Sequence, residues 1–274
     1  MGKSKNLIMK IYFLTYGNKA FHYSKIHLCS LAKESGFYDG IISLKPSDLD
    51  KNFRLKFENI LKEGRGSGYW IWKHEIINEL LKKINKNDVI LYCDAGSSIN
   101  NGAKAKERFS DYLNIIHDRD VDFLRFETEK QFMENQYTSK ELFKATNIQG
   151  TSKIANTTQL QAGVMFYKKN DTNLEFFQEY KSILYNDPNL ITDYYQKNQK
   201  NTFIENRHDQ SIFSILGKKY NSYTLDNETE FRERKHLQYD FPILTVRAYN
   251  HGLRDKLKLS LFKPIYGKKT IFFT

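Results

Sequence analysis

Between residues 7 and 93 the chain alternates strand-like and helix-like segments, and this alternation constrains the fold more than any other feature. Residues 7–15 (LIMKIYFLT) form a short β-branched and aromatic run, the mark of a buried strand, stopped by Tyr16-Gly17-Asn18. Residues 24–35 carry Ile26, Leu28, Leu31 and Ala32 at helical spacing, and Gly36 ends the pattern. A second strand is predicted over 40–44, a turn over 46–50 and a helix over 53–61. Gly64-Arg65-Gly66-Ser67-Gly68 reads as a mobile loop. An amphipathic helix over 70–84 leads to a third strand, 89–93, which ends at Asp94. Strand, helix, strand, helix, strand predicts an α/β fold: a mixed, mostly parallel sheet flanked by helices. Ligands of such sheets bind beyond the carboxyl ends of the strands. That directs attention to Thr15, Tyr16 and Gly17 after the first strand, and to Asp94, Ala95 and Gly96 after the third.

Downstream the pattern loosens. A short strand is predicted over 122–126, a polar helix over 129–145, a polar loop over 150–158 and a strand over 161–167. Helices follow over 172–185 and 209–219, with a mostly helical stretch over 191–195. No repeat or low-complexity linker divides the chain, so residues 1–274 are expected to form one domain. Its nucleotide-binding half covers about 7–100, its acceptor-side half about 120–252, and a basic, aromatic tail occupies 253–274.

Composition narrows the function classes. With 40% hydrophobic and 15% aromatic residues the chain is globular rather than disordered. Cys29 and Cys93 make no disulfide framework and read as reduced residues in apolar surroundings. Residues 1–10 lack the apolar core of a signal peptide, and no stretch approaches a membrane span, so a cytoplasmic protein is expected. The formal charge of +11 suits an acidic ligand such as a nucleoside diphosphate, and equally a lysine-rich surface. No zinc finger, helix-turn-helix or RNA-binding signature accompanies it, so nucleic acid is not an expected partner.

Single residues then carry chemistry. Asp94 ends an apolar strand and is followed by small residues that let a ligand approach. It suits a divalent cation or a ribose hydroxyl, or else it caps the next turn.

The segment VILYCDAGSSIN resembles the strand and acidic motif of GT-A glycosyltransferases, in which Asp-x-Asp holds a metal on a nucleotide diphosphate. The preceding GYWIWKHEIINELL resembles a helix start in a bacterial and viral group of these enzymes. Gln161 to Phe166 (QAGVMF) resembles their sugar-facing strand, and RHDQS, from Arg207, their Asp-Gln helix start. The resemblance implies a single GT-A-like domain that moves a sugar from a nucleotide diphosphate sugar, with UDP the nucleotide, to a glycan, lipid-linked glycan or protein acceptor in polysaccharide biosynthesis. It implies that Thr15, Tyr16 and Gly17 lie toward the nucleoside, Asp94, Ala95 and Gly96 at the ribose or diphosphate, and Gln161 and Gly163 at the sugar, with Trp72 a candidate to stack on a base or sugar. It also makes Asp209 and Gln210 the catalytic candidates: an inverting route needs a carboxylate base, a retaining route a stabilising group on the donor face. Asp209 is equally suited to cap the helix that follows it.

One departure bears on the metal. Gly96 stands where the second aspartate of the motif is expected, which removes a ligand for Mn²⁺ or Mg²⁺. Asp94 with His251 is the remaining candidate pair, and Lys73 is the alternative, a cationic clamp at a helix start. Of Trp70 and Trp72, one is expected in the core and the other near the pocket. The tail sequence KLKLSLFKPIYGKKTIFF suits either a membrane surface or an edge strand. Two other readings stay open: a nucleotide- or carbohydrate-binding module without activity, and a nucleic-acid-binding protein.

Overall fold

The computed structural model describes residues 9–230 and 240–246. Eight strands are found among them: β1 (Ile11–Tyr16), β2 (Gly40–Leu44), β3 (Val89–Cys93), β4 (Ser97–Ile99), β5 (Phe123–Phe126), β6 (Val164–Lys168), β7 (Tyr223–Leu225) and β8 (Ile243–Thr245). The helices are α1 (His22–Ser35), α2 (Lys51–Lys56), α3 (Glu58–Leu61), the single turn α4 (Gly66–Tyr69), α5 (Trp72–Lys83), α6 (Ala103–Asp118), α7 (Glu134–Tyr137), α8 (Lys140–Ala145), α9 (Asp171–Asn186) and α10 (Asp209–Lys219).

Six strands form the main sheet in the order β2-β1-β3-β6-β5-β7. β1 runs parallel to β2 and β3, and β7 parallel to β5, while β6 runs antiparallel to both of its neighbours. The expected mixed sheet is therefore present. Its one reversal matters for the site: because β6 opposes β3, the residues that lead into β6 lie beside the end of β3, with Cys93 opposite Val164. A small antiparallel pair, β4 with β8, lies outside this sheet.

Period-two alternation sorts the core into two layers. Ile90 and Tyr92 of β3 face α5, α9 and α10, where Ile76, Ile77, Phe176 and Phe213 pack. Val89, Leu91 and Cys93 face α1 and α6, through Leu28, Leu31, Phe109 and Tyr112. Cys29 and Cys93 are free thiols, and burial pushes the Cys93 thiol up to about 12.

Several expectations need correction. The polar helix expected over 129–145 is two short helices, because Thr138 is extended and Ser139 caps α8 by accepting from Leu142 N at 3.2 Å. The helix expected over 53–61 breaks at Phe57, whose φ of −111° leaves the helical range. The stretch 191–195 holds 3₁₀ turns rather than α-helix. Residues 64–68 form no loose loop: φ is positive at every position from Gly66 through Trp70, and Gly68 is buried. For this reason the following helix starts at Trp72 and not at Trp70. The structure adds helix α6, whose buried face of Ala105, Phe109, Tyr112 and Ile116 recurs at helical spacing. It also adds the short strands β4, β7 and β8. The tail 253–274 lies outside the described residues, as do Leu7 and Ile8 of the first expected strand.

A buried carboxylate joins the acceptor-side half. Glu134 is fully buried and accepts from Thr138 Oγ1 at 2.6 Å and Gln159 Nε2 at 3.0 Å, as well as from Ser214 Oγ and Lys218 Nζ. It ties α7 to α10 and to the chain that leads into β6. Removing one member of a buried charged network leaves the others desolvated and unpaired. Glu134→Ala is therefore expected to cost about 3 kcal/mol, read as a lower urea midpoint. An unchanged midpoint would show that the network is not under load.

Candidate active site

Lys73 stands in the first turn of α5, and its side chain is 2% exposed. An ammonium has three donors, and three acceptors from three different segments surround this one. Asp209 Oδ2, at the start of α10, is 2.6 Å from Nζ; Asp94 Oδ1, just past β3, is 3.2 Å away; and the Ala162 carbonyl, ahead of β6, accepts at 3.0 Å. Tyr92 adds a fourth group. It lies two residues before Asp94, so the pleat puts both on one face, and its hydroxyl donates to Asp94 Oδ1 at 2.6 Å. Its ring lies 5.2 Å from Lys73 Nζ, within cation–π range.

Three residues chosen from the sequence, Lys73, Asp94 and Asp209, thus meet at one point beyond the carboxyl ends of β1 and β3. Gly163 joins them: its carbonyl accepts from Asp94 N at 2.9 Å, and a Cβ there would stand 3.2 Å from Asp94 Oδ2. Asp94 is 39% exposed, so it is the carboxylate of the group that meets solvent. Ala95 and Gly96 are buried, and the Asp94 carbonyl accepts from Ser97 N at 2.9 Å to close a tight turn. Asp94 therefore does not cap the turn with its side chain: its backbone carbonyl closes the turn, and its side chain points to Lys73 and Tyr92.

The other candidates lie deeper. Thr15, Tyr16 and Gly17 are buried, and exposure on that side begins at Asn18. Trp72 is 5% exposed, stacks on Tyr16 with ring centroids 3.9 Å apart, and donates from Nε1 to the Gly66 carbonyl. Trp72 is accordingly the core tryptophan, while Trp70 is half-buried with its ring against Gly66 and 5.8 Å from that of His208. Gln161 gives its amide hydrogens to the Glu127 carbonyl and Asn227 Oδ1 and accepts from Thr229 Oγ1. Gln210 donates to Gln159 Oε1 at 2.9 Å. His251 lies outside the described residues.

Asp209 is not the cap of α10. That position is His208, held at φ 56°, ψ −125°, with Nδ1 2.9 Å from the Ile191 carbonyl. Asp209 is the first helical residue and turns its side chain to Lys73. Burial raises its carboxyl from 3.8 to about 6, against the pull of the Lys73 charge and the Gln210 N–H and with a further push from Asp94. Burial pulls the Lys73 ammonium down, but Asp209 and then Asp94 more than offset this, so its pKa is raised.

Together one ammonium and two carboxylates sum to one negative charge once Asp209 is ionised. An anionic diphosphate needs further positive charge to settle there. Among the described residues no group of three His, Cys, Asp or Glu side chains could hold a metal ion. Asp94 alone, with an ammonium 3.2 Å away, does not fit a resident divalent cation.

No family model matches the chain, and no curated protein sequence matches it. Solved structures do. A glycosyltransferase involved in glycosylation of the major capsid protein of PBCV-1 is 14% identical, covers 91% of this chain and 98% of its own, and superposes with a TM-score of 0.52. Mouse xyloside xylosyltransferase 1 is 12% identical over 86% of this chain and 97% of its own, with a TM-score of 0.46. The galactosyltransferase LgtC, solved with donor and acceptor sugar analogues, is 13% identical over 81% and 75%, with a TM-score of 0.41. The likeness to the first establishes the fold: this chain has a GT-A-like α/β architecture. Fold alone does not fix chemistry.

Tyr92 and the Ala162 carbonyl were not singled out in the sequence. Tyr92 had a legible signal, its place two residues before Asp94 on a strand; a backbone carbonyl has none.

The Lys73 geometry has a pH signature. A carboxyl whose folded pKa is raised favours folding fully below its unfolded value, and the benefit is lost as pH rises through the folded value. For Asp209 that window runs from 3.8 to about 6. Lys73→Met removes the cation and moves the upper edge higher still. This variant is expected to lose about 3 kcal/mol at pH 7 and markedly less at pH 5, where Asp209 takes up a proton. Equal losses in urea melts at both pH values would exclude the pairing.

Proposed function

We propose that this protein transfers a sugar from a nucleotide diphosphate sugar, with UDP the expected nucleotide, to the hydroxyl of a glycan, lipid-linked glycan or protein acceptor. The observation that supports this most is the convergence of Lys73, Asp94 and Asp209 where a GT-A-like sheet presents its strand ends.

In this reading the solvent-facing oxygen of Asp94 meets the donor ribose or diphosphate, and Lys73 supplies a fixed positive charge beside it. Charge grows on the diphosphate as the bond to the anomeric carbon breaks, and a preorganised cation in a dry site stabilises that growth. Gly163 leaves the sugar room beside Asp94 that a side chain would take. Asp209, ionised at neutral pH, accepts the proton of the acceptor hydroxyl as its oxygen bonds to the anomeric carbon, and the diphosphate leaves with the electrons of the broken bond. Gln210, beside it, is the group for the donor face if the transfer retains configuration. A divalent cation that came with the donor, held mainly by the donor's own phosphate oxygens with Asp94 and His251 as candidate protein ligands, would neutralise the diphosphate; it would not be a resident of the site.

Two measurements test the reading. In a thermal-shift screen of nucleoside diphosphates and their sugars, with and without Mn²⁺, one nucleotide is expected to raise the melting temperature, since a ligand of the folded state stabilises it by mass action. Dependence on Mn²⁺ would assign the missing charge to a metal; an equal shift without it would assign it to the protein. Asp94→Ala should keep its fold and lose about 100-fold or more in donor turnover, and full turnover in that variant would sink the assignment.

The pH profile is a separate check. Turnover is expected to rise with an apparent pKa of about 6, the value to which burial lifts Asp209. A profile flat from about pH 5 to 8 would remove Asp209 from the proton transfer.

A further inference from the structure

Away from Lys73, the acceptor-side half holds a cavity of about 260 Å³ between α8 and the segment around residue 200. Its apolar wall is Phe143, Ile148 and Phe203, and three lysines, Lys140, Lys144 and Lys200, stand around it. No aspartate or glutamate lines it. Glu141, on α8, is taken up by Gln199, which donates to its Oε2 at 2.6 Å, and lies 3.8 Å from Lys140. Lys140 spends its ammonium on the Asn198 carbonyl. Lys144 and Lys200 are exposed, and among the described residues their side-chain ammoniums have no hydrogen-bond or ion-pair partner.

The aromatic faces of Phe143 and Phe203 suit the apolar face of a sugar ring. Unpaired ammoniums with no competing carboxylate suit a negative charge on that ring. The volume admits about one sugar unit. We propose that this cavity binds an acidic saccharide, a sugar carrying a carboxylate or a phosphate, as the anchoring unit of the acceptor.

The cavity is wired to the candidate active site. Thr138, on its wall, accepts from Gln159 Nε2 at 3.2 Å, and Gln159 Oε1 accepts from Gln210, the neighbour of Asp209, at 2.9 Å. A saccharide held here extends its chain from a fixed point relative to α10. That role rests on the transferase reading, whereas the binding itself does not.

The test therefore measures binding to the full chain with no nucleotide present. Trigalacturonate, mannose 6-phosphate and neutral maltotriose are titrated against the wild type by saturation-transfer NMR and calorimetry. The comparison proteins are the double variant Lys144→Glu with Lys200→Glu, and a control that carries the same charge change elsewhere, Lys33→Glu with Lys51→Glu. All four lysines are exposed, and melting curves check that each variant folds. The expected result is binding of at least one acidic probe, about tenfold weaker or absent in the cavity variant, unchanged in the control and not matched by maltotriose. Binding of trigalacturonate alone assigns a carboxylate sugar, and of mannose 6-phosphate alone a phosphorylated one. Maltotriose binding as well as the acidic probes, equal losses in the two variants, or no binding of either acidic probe would overturn the proposal. A positive result with no nucleotide shift would retain the saccharide site and refute the transferase reading.

Discussion

A buried ammonium must find an acceptor for each of its hydrogens, because an unmet charge in the interior costs several kcal/mol. Lys73 meets that demand only if the end of β3, the lead-in to β6 and the start of α10 are brought to the same point. Residues 73, 94, 162 and 209 are far apart in the chain, so this single group enforces long-range order across both halves. The antiparallel course of β6 is what makes the arrangement possible. A parallel strand in that place would carry the Gly163 region to the opposite end of the strands, away from Asp94.

The surroundings keep the three charged groups apart in character. Asp209 is enclosed and its carboxyl is lifted to about 6, while Asp94 stays open to solvent and is steadied by Tyr92. One ammonium thus holds two carboxylates in different surroundings, one facing inward and one outward. Division of labour between carboxyl groups by environment is a general way to run acid–base chemistry near neutral pH.

The turn over residues 66–70 closes the other side. Successive left-handed conformations cost about 1–2 kcal/mol at each non-glycine residue, here Ser67, Tyr69 and Trp70. They are held by specific partners. Asn18 donates to Ser67, Tyr69 donates to Asp193, and the Trp72 indole donates to the Gly66 carbonyl. Gly66 is required twice over, since its φ is 57° and a Cβ would stand 2.3 Å from the Trp70 ring. The rings of Tyr69 and Trp70 then flank His208, which adjoins Asp209, so the strained turn buttresses the start of α10.

Strands β1, β2, β3, β5 and β6, helices α1, α5, α9 and α10, and the residue types of the site were legible in the sequence by itself, whereas α6 was not, although its apolar residues recur at helical spacing. β3, α10 and the Asp94 turn were legible because burial leaves a periodic or compositional trace in neighbouring residues. It did not determine the break at Thr138, the left-handed turn or the short strands β4, β7 and β8, whose few residues are set by distant partners and not by local propensity. Nor did it reveal whether Lys73 faced water or the core: a lysine in a helix start reads the same either way. Only the tertiary structure decided that it lies inside, between Asp94 and Asp209, because the energy of a buried charge depends on groups that the chain brings near only when folded.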